Sequence, residues 1–256
     1  MEKNLEYFVE NKVATIILKR PKSYNSFNKK LREELITVLD IIEDDPLILV
    51  AIIKGSGNGF SAGADLNEPF PLPISKHLDT DYKPIFKKII NSRLLYIAVV
   101  HGSAAGIASS LAMSCDFLIM ANDAKISLVF SNVGLVPDGG ATWLLQKALG
   151  YKKALEIIVE GKHLSAKECL NCGLANKVFE NEKLHDEALT WAISLSKRAP
   201  LVMSAAKKLL RMSSEINYFD SFNEEANFQD IMSTSEDFHN ARISFLKKQK
   251  PVFKGK

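Results

Sequence analysis

The feature that most limits what this chain can become is a pair of apolar runs, each breaking off at a cluster of small residues. Leu47 to Ile53 carries no polar side chain, and Leu94 to Val100 carries only the hydroxyl of Tyr96. A strand without a polar face suits a sheet covered on both sides. The first run gives way to a Gly-rich stretch from Gly55 to Gly63, and the second ends at His101-Gly102. Ahead of them, Val13-Ala14-Thr15-Ile16-Ile17-Leu18 is rich in β-branched residues and stops at Arg20-Pro21, a strand closed by a turn. Leu31, Leu35, Val38, Leu39 and Ile42 recur at helical spacing until Asp44-Asp45-Pro46 halts them. Small residues after His101 continue into a helix to about Cys115, and a strand follows near Phe117 to Met120. Beyond Gly140 the pattern is almost wholly helical. Strands alternating with helices, then helices alone, imply an α/β core, residues 1–195, with a helical carboxyl-terminal region, residues 196–256.

Composition mainly excludes. At 256 residues, with 46% hydrophobic and 25% charged side chains, the chain has the balance of a soluble globular protein. No apolar run approaches the ~18 residues that span a bilayer, so no membrane segment is expected. The start, Met1-Glu2-Lys3-Asn4, leads into an amphipathic strand pattern without an apolar secretory segment. Three cysteines make no disulfide framework, and the cytoplasm is the expected setting. A net charge of +3 is too small to imply nucleic acid. Much of the excess sits in Lys247, Lys248, Lys250, Lys254 and Lys256. These read either as a solvated helix end with a frayed terminus or as a patch for the phosphates of an anionic ligand. The least regular stretch, Glu68 to Pro84, holds Pro69, Pro71, Pro73 and Pro84 and is expected to be a long surface loop, a place where function often lies.

Two strand-to-helix junctions carry chemistry. In Gly55-Ser56-Gly57-Asn58-Gly59-Phe60-Ser61-Ala62-Gly63-Ala64-Asp65-Leu66, the density of Gly and Ala lets backbone N–H groups approach a ligand unobstructed. In His101-Gly102-Ser103-Ala104-Ala105-Gly106-Ile107-Ala108, a strand end runs into a helix amino terminus, whose unpaired N–H groups suit an oxyanion. Either alone is also what a tight turn looks like. Two of them, with a third glycine turn at Pro137-Asp138-Gly139-Gly140, say more.

In order and spacing these segments resemble the crotonase (enoyl-CoA hydratase/isomerase) superfamily. So do Leu18-Lys19-Arg20-Pro21-Lys22-Ser23-Tyr24-Asn25, Cys115-Asp116, Gly134-Leu135-Val136-Pro137 and the Phe245-Leu246-Lys247-Lys248 tail. The resemblance implies a spiral of ββα units with a helical trimerisation region, hence a homotrimer or dimer of trimers. It implies an acyl-coenzyme A substrate and no separate cofactor, the coenzyme A being part of the substrate. Ala62 and Ile107 are then the backbone donors to the thioester oxygen. Lys22, Ser23, Tyr24, Gly63, Ala64, Asp65, Leu66 and Gly106 line the coenzyme A site with them, together with Phe245 and Lys248. Independently, the wide apolar faces after Trp191 (Leu201, Val202, Leu209, Leu210, Met212, Phe219, Phe222, Phe228) are more than a thin helical tail can bury.

The carboxylates bear on which reaction this is. Hydratases of the family use two glutamates to place and activate water, and the resemblance puts those positions on Ser110 and Phe130. A census that needs no register agrees, because Pro69 to Leu155 contains no glutamate. Its aspartates are Asp79 and Asp81 in the irregular stretch, Asp116 at a strand start, Asp123 in a turn, and Asp138. Asp116 reads as a turn or salt-bridge residue, and Asp123 as a local backbone partner. Gly134 to Trp143 resembles the enoyl-CoA isomerase branch, including isomerases of aerobic phenylacetate degradation, in which the acid after Pro moves a proton between two carbons. From the residues alone, Asp138 reads first as a cap for the helix beginning near Gly140, and the resemblance is what turns the reading to catalysis. As a base it would take the proton beside the carbonyl and return one at the γ carbon, shifting a double bond from β,γ to α,β. Two fixed N–H donors would hold the dienolate, one such donor being commonly worth ~3–4 kcal/mol. Apolar burial would raise its pKa above the ordinary value of about 3.9 and improve it as a base. Phe130, Val133, Leu135, Val136 and Ile107 are the expected walls.

Other readings change the outcome. The ligand would be the same for an enoyl-CoA hydratase of fatty-acid β-oxidation, which the missing glutamates oppose, and for a non-catalytic acyl-CoA-binding scaffold, which Asp138 opposes. Gly59-Phe60-Ser61-Ala62-Gly63 matches the G-x-S-x-G of serine hydrolases, but that elbow follows its strand directly, whereas here residues intervene after Ile53-Lys54. Cys169-Leu170-Asn171-Cys172 ends a helix before Gly173, which suits a structural role better than zinc or redox chemistry.

Overall fold

The computed structural model describes residues 3–69 and 72–256; Met1 and Glu2 at the start of the chain, and Pro71 of the proline-rich stretch, lie outside the described residues. Six strands form the main sheet: β1 (Leu5–Glu10), β2 (Val13–Leu18), β3 (Val50–Gly55), β4 (Leu95–Val100), β6 (Phe117–Ala121) and β9 (Lys177–Phe179), in that spatial order. A hairpin pairs β1 with β2 in antiparallel register, and every later neighbour is parallel. The apolar runs are the sheet's centre. Every residue of β4 is buried, as the lack of a polar face requires. β3 starts later than its apolar run. The Asp45 carboxylate takes the Leu47 amide at 2.9 Å, turning the chain and leaving Leu47 71% exposed.

Between the strands, α1 (Lys29–Asp44) is capped by the Asn28 side chain on the Leu31 amide and buries Leu31, Leu35, Val38, Leu39 and Ile42. The stretch expected as a long surface loop is instead helical from Ile74: α2 (Ile74–His77), a π-helical turn (Leu78–Tyr82) and α3 (Lys83–Asn91). Pro84 sits in the first turn of α3, where a missing N–H costs nothing, and Tyr82, Ile85, Phe86 and Ile89 turn inward. A second sheet joins β5 (Ser103–Ala105), β7 (Lys125–Ser127) and β8 (His163–Ser165), with α4 (Ile107–Ser114) leaving the end of β5. The chain after Gly140 is therefore not wholly helical. α5 (Ala141–Val159), broken at Gly150 with φ 73°, leads to β8, and α6 (Ala166–Asn171) leads to β9. Strands of three residues are too short to leave a periodicity.

α7 (Leu184–Leu195) packs across β2, β3, β4 and β6. α8 (Pro200–Ser213) is fixed by Lys207, which is buried and bonded to Asp116 and to the carbonyls of Ile89 and Leu94. α9 (Tyr218–Ser233) and α10 (Glu236–Leu246) complete the chain. The tail is not frayed: the buried Asp237 carboxylate accepts the amides of Lys254 and Gly255, and its amide donates to the Lys256 carbonyl. α8, α9, α10 and the tail line an open apolar hollow of about 700 Å³, and Leu210, Phe219, Phe222, Phe245 and Leu246 stand exposed on these helices.

Candidate active site

The junctions that the sequence holds some forty residues apart are laced together. Ser61 bridges Ala104: its amide donates to the Ser103 carbonyl at 3.1 Å, and its carbonyl accepts the Ala105 amide at 2.9 Å. Gly63 (φ 91°) closes the contact. A Cβ there would lie 2.5 Å from the Ala105 oxygen and 3.4 Å from the Ile107 nitrogen, so only glycine fits. Asn25 locks the approach, accepting from the Arg20 amide and donating to the carbonyls of Ser56 and Gly59.

Ala62 is exposed and Ile107 opens α4 behind Gly106, at a position whose N–H has no acceptor within the helix. The Ala62 amide already donates to the Tyr24 carbonyl at 2.8 Å. The two residues face different hollows. Ala62 lines one of about 420 Å³ with Tyr24, Ser103, Ala105 and Lys125, and Ile107 lines one of about 500 Å³ with Leu78, Tyr82, Phe86, Gly139 and Gly140.

Other expected coenzyme A residues fall into two groups. Tyr24 is exposed and lines the first hollow, Lys22 and Leu66 are exposed without lining it, and Ser23 and Ala64 are half-buried. Asp65 is buried, and its carboxylate is occupied by Arg20 at 2.8 Å and by Asn67. Burial opposes that charge, but Arg20 and Asn67 prevail and hold the carboxyl below its ordinary range. The Asp65 side chain is thus a tie within the junction. Phe245 and Lys248 lie exposed at the end of α10 and line neither hollow.

Asp138 behaves unlike a cap. Gly140 occupies the cap position of α5 without any side-chain bond, and the Ala141 amide goes to the backbone carbonyl of Asp138. The Oδ1 of Asp138 is sealed from solvent and has no hydrogen-bond partner among the described residues. Burial pushes its pKa up to about 6, with only its own amide pulling the other way. Ser110 donates its hydroxyl to the Asp138 carbonyl at 2.8 Å, so the side chain at the expected hydratase position holds this turn instead. Phe130 is buried. The expected walls need correction: Val133, Leu135 and Val136 are exposed, and of the five only Ile107 lines the 500 Å³ hollow. Tyr82 and Phe86 supply the wall; a Cβ on Gly139 would lie 2.7 Å from the Phe86 ring. Their signal was the inward spacing of Tyr82, Ile85, Phe86 and Ile89, hidden among prolines.

The serine and cysteine motifs are structural. The Ser61 hydroxyl is buried, donates to the Asn25 carbonyl at 2.8 Å and accepts the Gly63 amide. Cys169 and Cys172 are free, burial pushes Cys169 up to about 12, and no group of metal-ligating side chains exists among the described residues.

The laced backbone junctions and the half-buried Asp138 turn belong to a fold that known proteins share. The model of the enoyl-CoA hydratase/isomerase family matches residues 9–256. The chain belongs to that family, within the crotonase superfamily. It is 32% identical over 255 residues to 1,2-epoxyphenylacetyl-CoA isomerase of Escherichia coli (strain K12), covering 97% of each chain. It is 29% identical to 2,3-dehydroadipyl-CoA hydratase of the same organism, covering 96% of this chain and 97% of that one. Among solved structures, an enoyl-CoA hydratase from Bacillus anthracis superposes with a TM-score of 0.94 at 26% identity, covering 99% of this chain and all of its own. The α/β crotonase fold is thereby established, and relatives carry both isomerase and hydratase names. Among the described residues no helix is long and apolar enough to cross a membrane.

Proposed function

We propose that this protein shifts the double bond of an enoyl-coenzyme A thioester from the β,γ to the α,β position, with Asp138 as the single acid and base. The observation that carries this is the unpaired, buried Oδ1 of Asp138, in the turn whose Gly139 and Gly140 line the apolar hollow, with Ser110 and Phe130 at the positions that the resemblance gives to the hydratase glutamates. A pKa near 6 leaves the carboxylate mostly ionised at neutral pH while making it a stronger base than a solvated one. The thioester oxygen would be held by the Ile107 amide; the Ala62 amide, bonded to Tyr24 and lining the other hollow, could join it only after leaving that bond. Ile107 offers an N–H without a helical acceptor, whereas Ala62 would have to share its own with Tyr24, so Ile107 carries more of the dienolate charge. The acyl chain would enter the hollow under Tyr82 and Phe86, with the coenzyme A running past Lys22, Ser23 and Tyr24. The exposed faces of α8 to α10 would be covered in a homotrimer or dimer of trimers, and Phe245 and Lys248 would reach a neighbour's coenzyme A rather than their own. No metal or separate cofactor enters the scheme.

The test compares substrates. A β,γ-enoyl-CoA should be isomerised, with exchange of its α-hydrogen in deuterated water, at rates several orders of magnitude above hydration of crotonyl-CoA. Comparable hydration would sink the single-base reading, and a monomeric mass by light scattering at micromolar concentration would sink the assembly.

A further inference from the structure

Arg32 is a cation inside the protein with no part in the chemistry above. It sits in the first turn of α1, 4% exposed, where a guanidinium must be matched by acceptors. Its Nη1 donates to the Phe27 carbonyl at 2.8 Å and to Glu68 Oε2 at 3.3 Å, and lies 3.4 Å from the Tyr82 hydroxyl. Its Nη2 donates to Asp81 Oδ2 at 3.2 Å, and the guanidinium carbon stands 5.0 Å from the centre of the Tyr82 ring. One side chain therefore grips the backbone neighbourhood on both sides of the stretch between Glu68 and Asp81. It grips Tyr82 by ring and hydroxyl together.

The acceptors are themselves anchored. Glu68 also takes the Lys29 amide at 2.8 Å, and Asp81 takes the Thr80 hydroxyl at 2.6 Å and meets His77 Nδ1 at 3.1 Å. Burial works against the Asp81 charge, yet Thr80, His77 and Arg32 hold that carboxyl below the ordinary range. The His77 ring also stands edge-on to Tyr82, 5.4 Å between centres. Tyr82 is buried, walls the acyl hollow with Leu78 and Phe86, and lies near enough to Asp138 for its phenol to feel that charge.

We propose that Arg32 is a positioning residue of this enzyme: by fixing Tyr82 and the π-helical turn, it sets the width of the acyl hollow and keeps water from Asp138. Its effect on rate rests on the single-base reading of Asp138; its effect on acyl binding does not. A lysine cannot replace it, because a point charge lacks the planar fork that reaches Phe27, Glu68 and Asp81 at once.

The test uses Arg32→Met, Arg32→Lys and Tyr82→Phe in the full chain. In wild type, calorimetric affinity for saturated acyl-CoAs should depend on chain length, and Arg32→Met should flatten that dependence. Its kcat on a β,γ-enoyl-CoA should fall about 100-fold, the cost of a small misplacement, with a much smaller change in KM. The acid limb of kcat should move to lower pH as Asp138 regains water, the groups facing Tyr82 there being His77, Asp81, Glu68 and Asp138 itself. Arg32→Lys should not rescue, and Tyr82→Phe, which loses only the hydroxyl contact, should show the same changes in smaller measure. Unchanged length dependence and kcat in a folded Arg32→Met, or full rescue by lysine, would overturn the proposal. Should Arg32→Met not fold, wild-type behaviour of Tyr82→Phe in both readouts would overturn it equally. If Asp138→Asn turns over normally while Arg32→Met still loses its length dependence, the base reading falls and the positioning of the wall stands.

Discussion

Asp116 and Asp138 are both drawn into the body of this protein, and their surroundings are opposite. Asp116 is saturated: Oδ1 meets Arg211 at 2.9 Å, and Oδ2 meets Lys207 at 2.9 Å and accepts the Tyr96 amide at 2.9 Å. Asp138 has an Oδ1 closed to water with no partner among the described residues. A charge matched on every side fastens α8 to the strands beneath it. A charge left unmatched costs stability and is held ready for a proton. The two regions therefore differ in what they can do: the Asp116 cluster holds the carboxyl-terminal helices, and the Asp138 turn carries the proton in the proposed reaction.

The comparison breaks most visibly at Asp138→Asn. That change keeps the size and cannot accept a proton, so isomerisation should fall about 100- to 10,000-fold while acyl-CoA affinity stays near wild type. Near-normal turnover in the folded variant would return Asp138 to a structural role. Asp116→Ala should do the converse. With Lys207 left buried and unpaired, unfolding free energy should drop by about 3–5 kcal/mol, read by denaturant melts, with kcat per folded enzyme little altered.

A smaller effect sharpens the contrast in sign. Below pH about 4, Asp138 is protonated in both folded and unfolded chains and costs nothing. As pH rises from there towards about 6 only the unfolded chain ionises freely, so the folded state loses stability, and above about 6 the full cost is present. Discounted for partial exposure, that cost is about 1–3 kcal/mol. Asp138→Asn should thus be more stable than wild type at pH 8 and level with it near pH 4. Catalysis should run the other way, kcat/KM rising about tenfold per pH unit to a bend near pH 6; a bend at pH 4 would mean a solvated carboxylate. The smallest change is Ser110→Ala, which removes one hydrogen bond to the Asp138 carbonyl and should cost about 1 kcal/mol of stability. A gain of hydratase activity there would contradict the role given to Ser110.

By itself the sequence determined the longer elements, the paired junctions and the absence of a glutamate between Pro69 and Leu155. Val13–Leu18 is a strand because its β-branched residues favour one, and α1 is a helix because its apolar residues recur on one face. The Gly-rich run around Gly63 is legible as a place of close backbone approach, but that an added Cβ there would lie 2.5 Å from the Ala105 oxygen is a tertiary fact. Tertiary structure alone decided which distant groups meet. Periodicity records burial, not partners, so it could mark Tyr82 and Phe86 as inward at best, and of the apolar residues expected to wall Asp138 (Phe130, Val133, Leu135, Val136 and Ile107) three face outward. No local pattern announces that Lys207 is buried 91 positions from Asp116, whose carboxylate it meets at 2.9 Å. Nor does any pattern show that the Ala62 amide is already engaged by Tyr24, or that Arg32 reaches Asp81 across a π-helical turn. Those pairings follow from how helices and strands pack, and a hydrogen bond between residues far apart in the chain exists only once that packing has brought its donor and acceptor within about 3 Å.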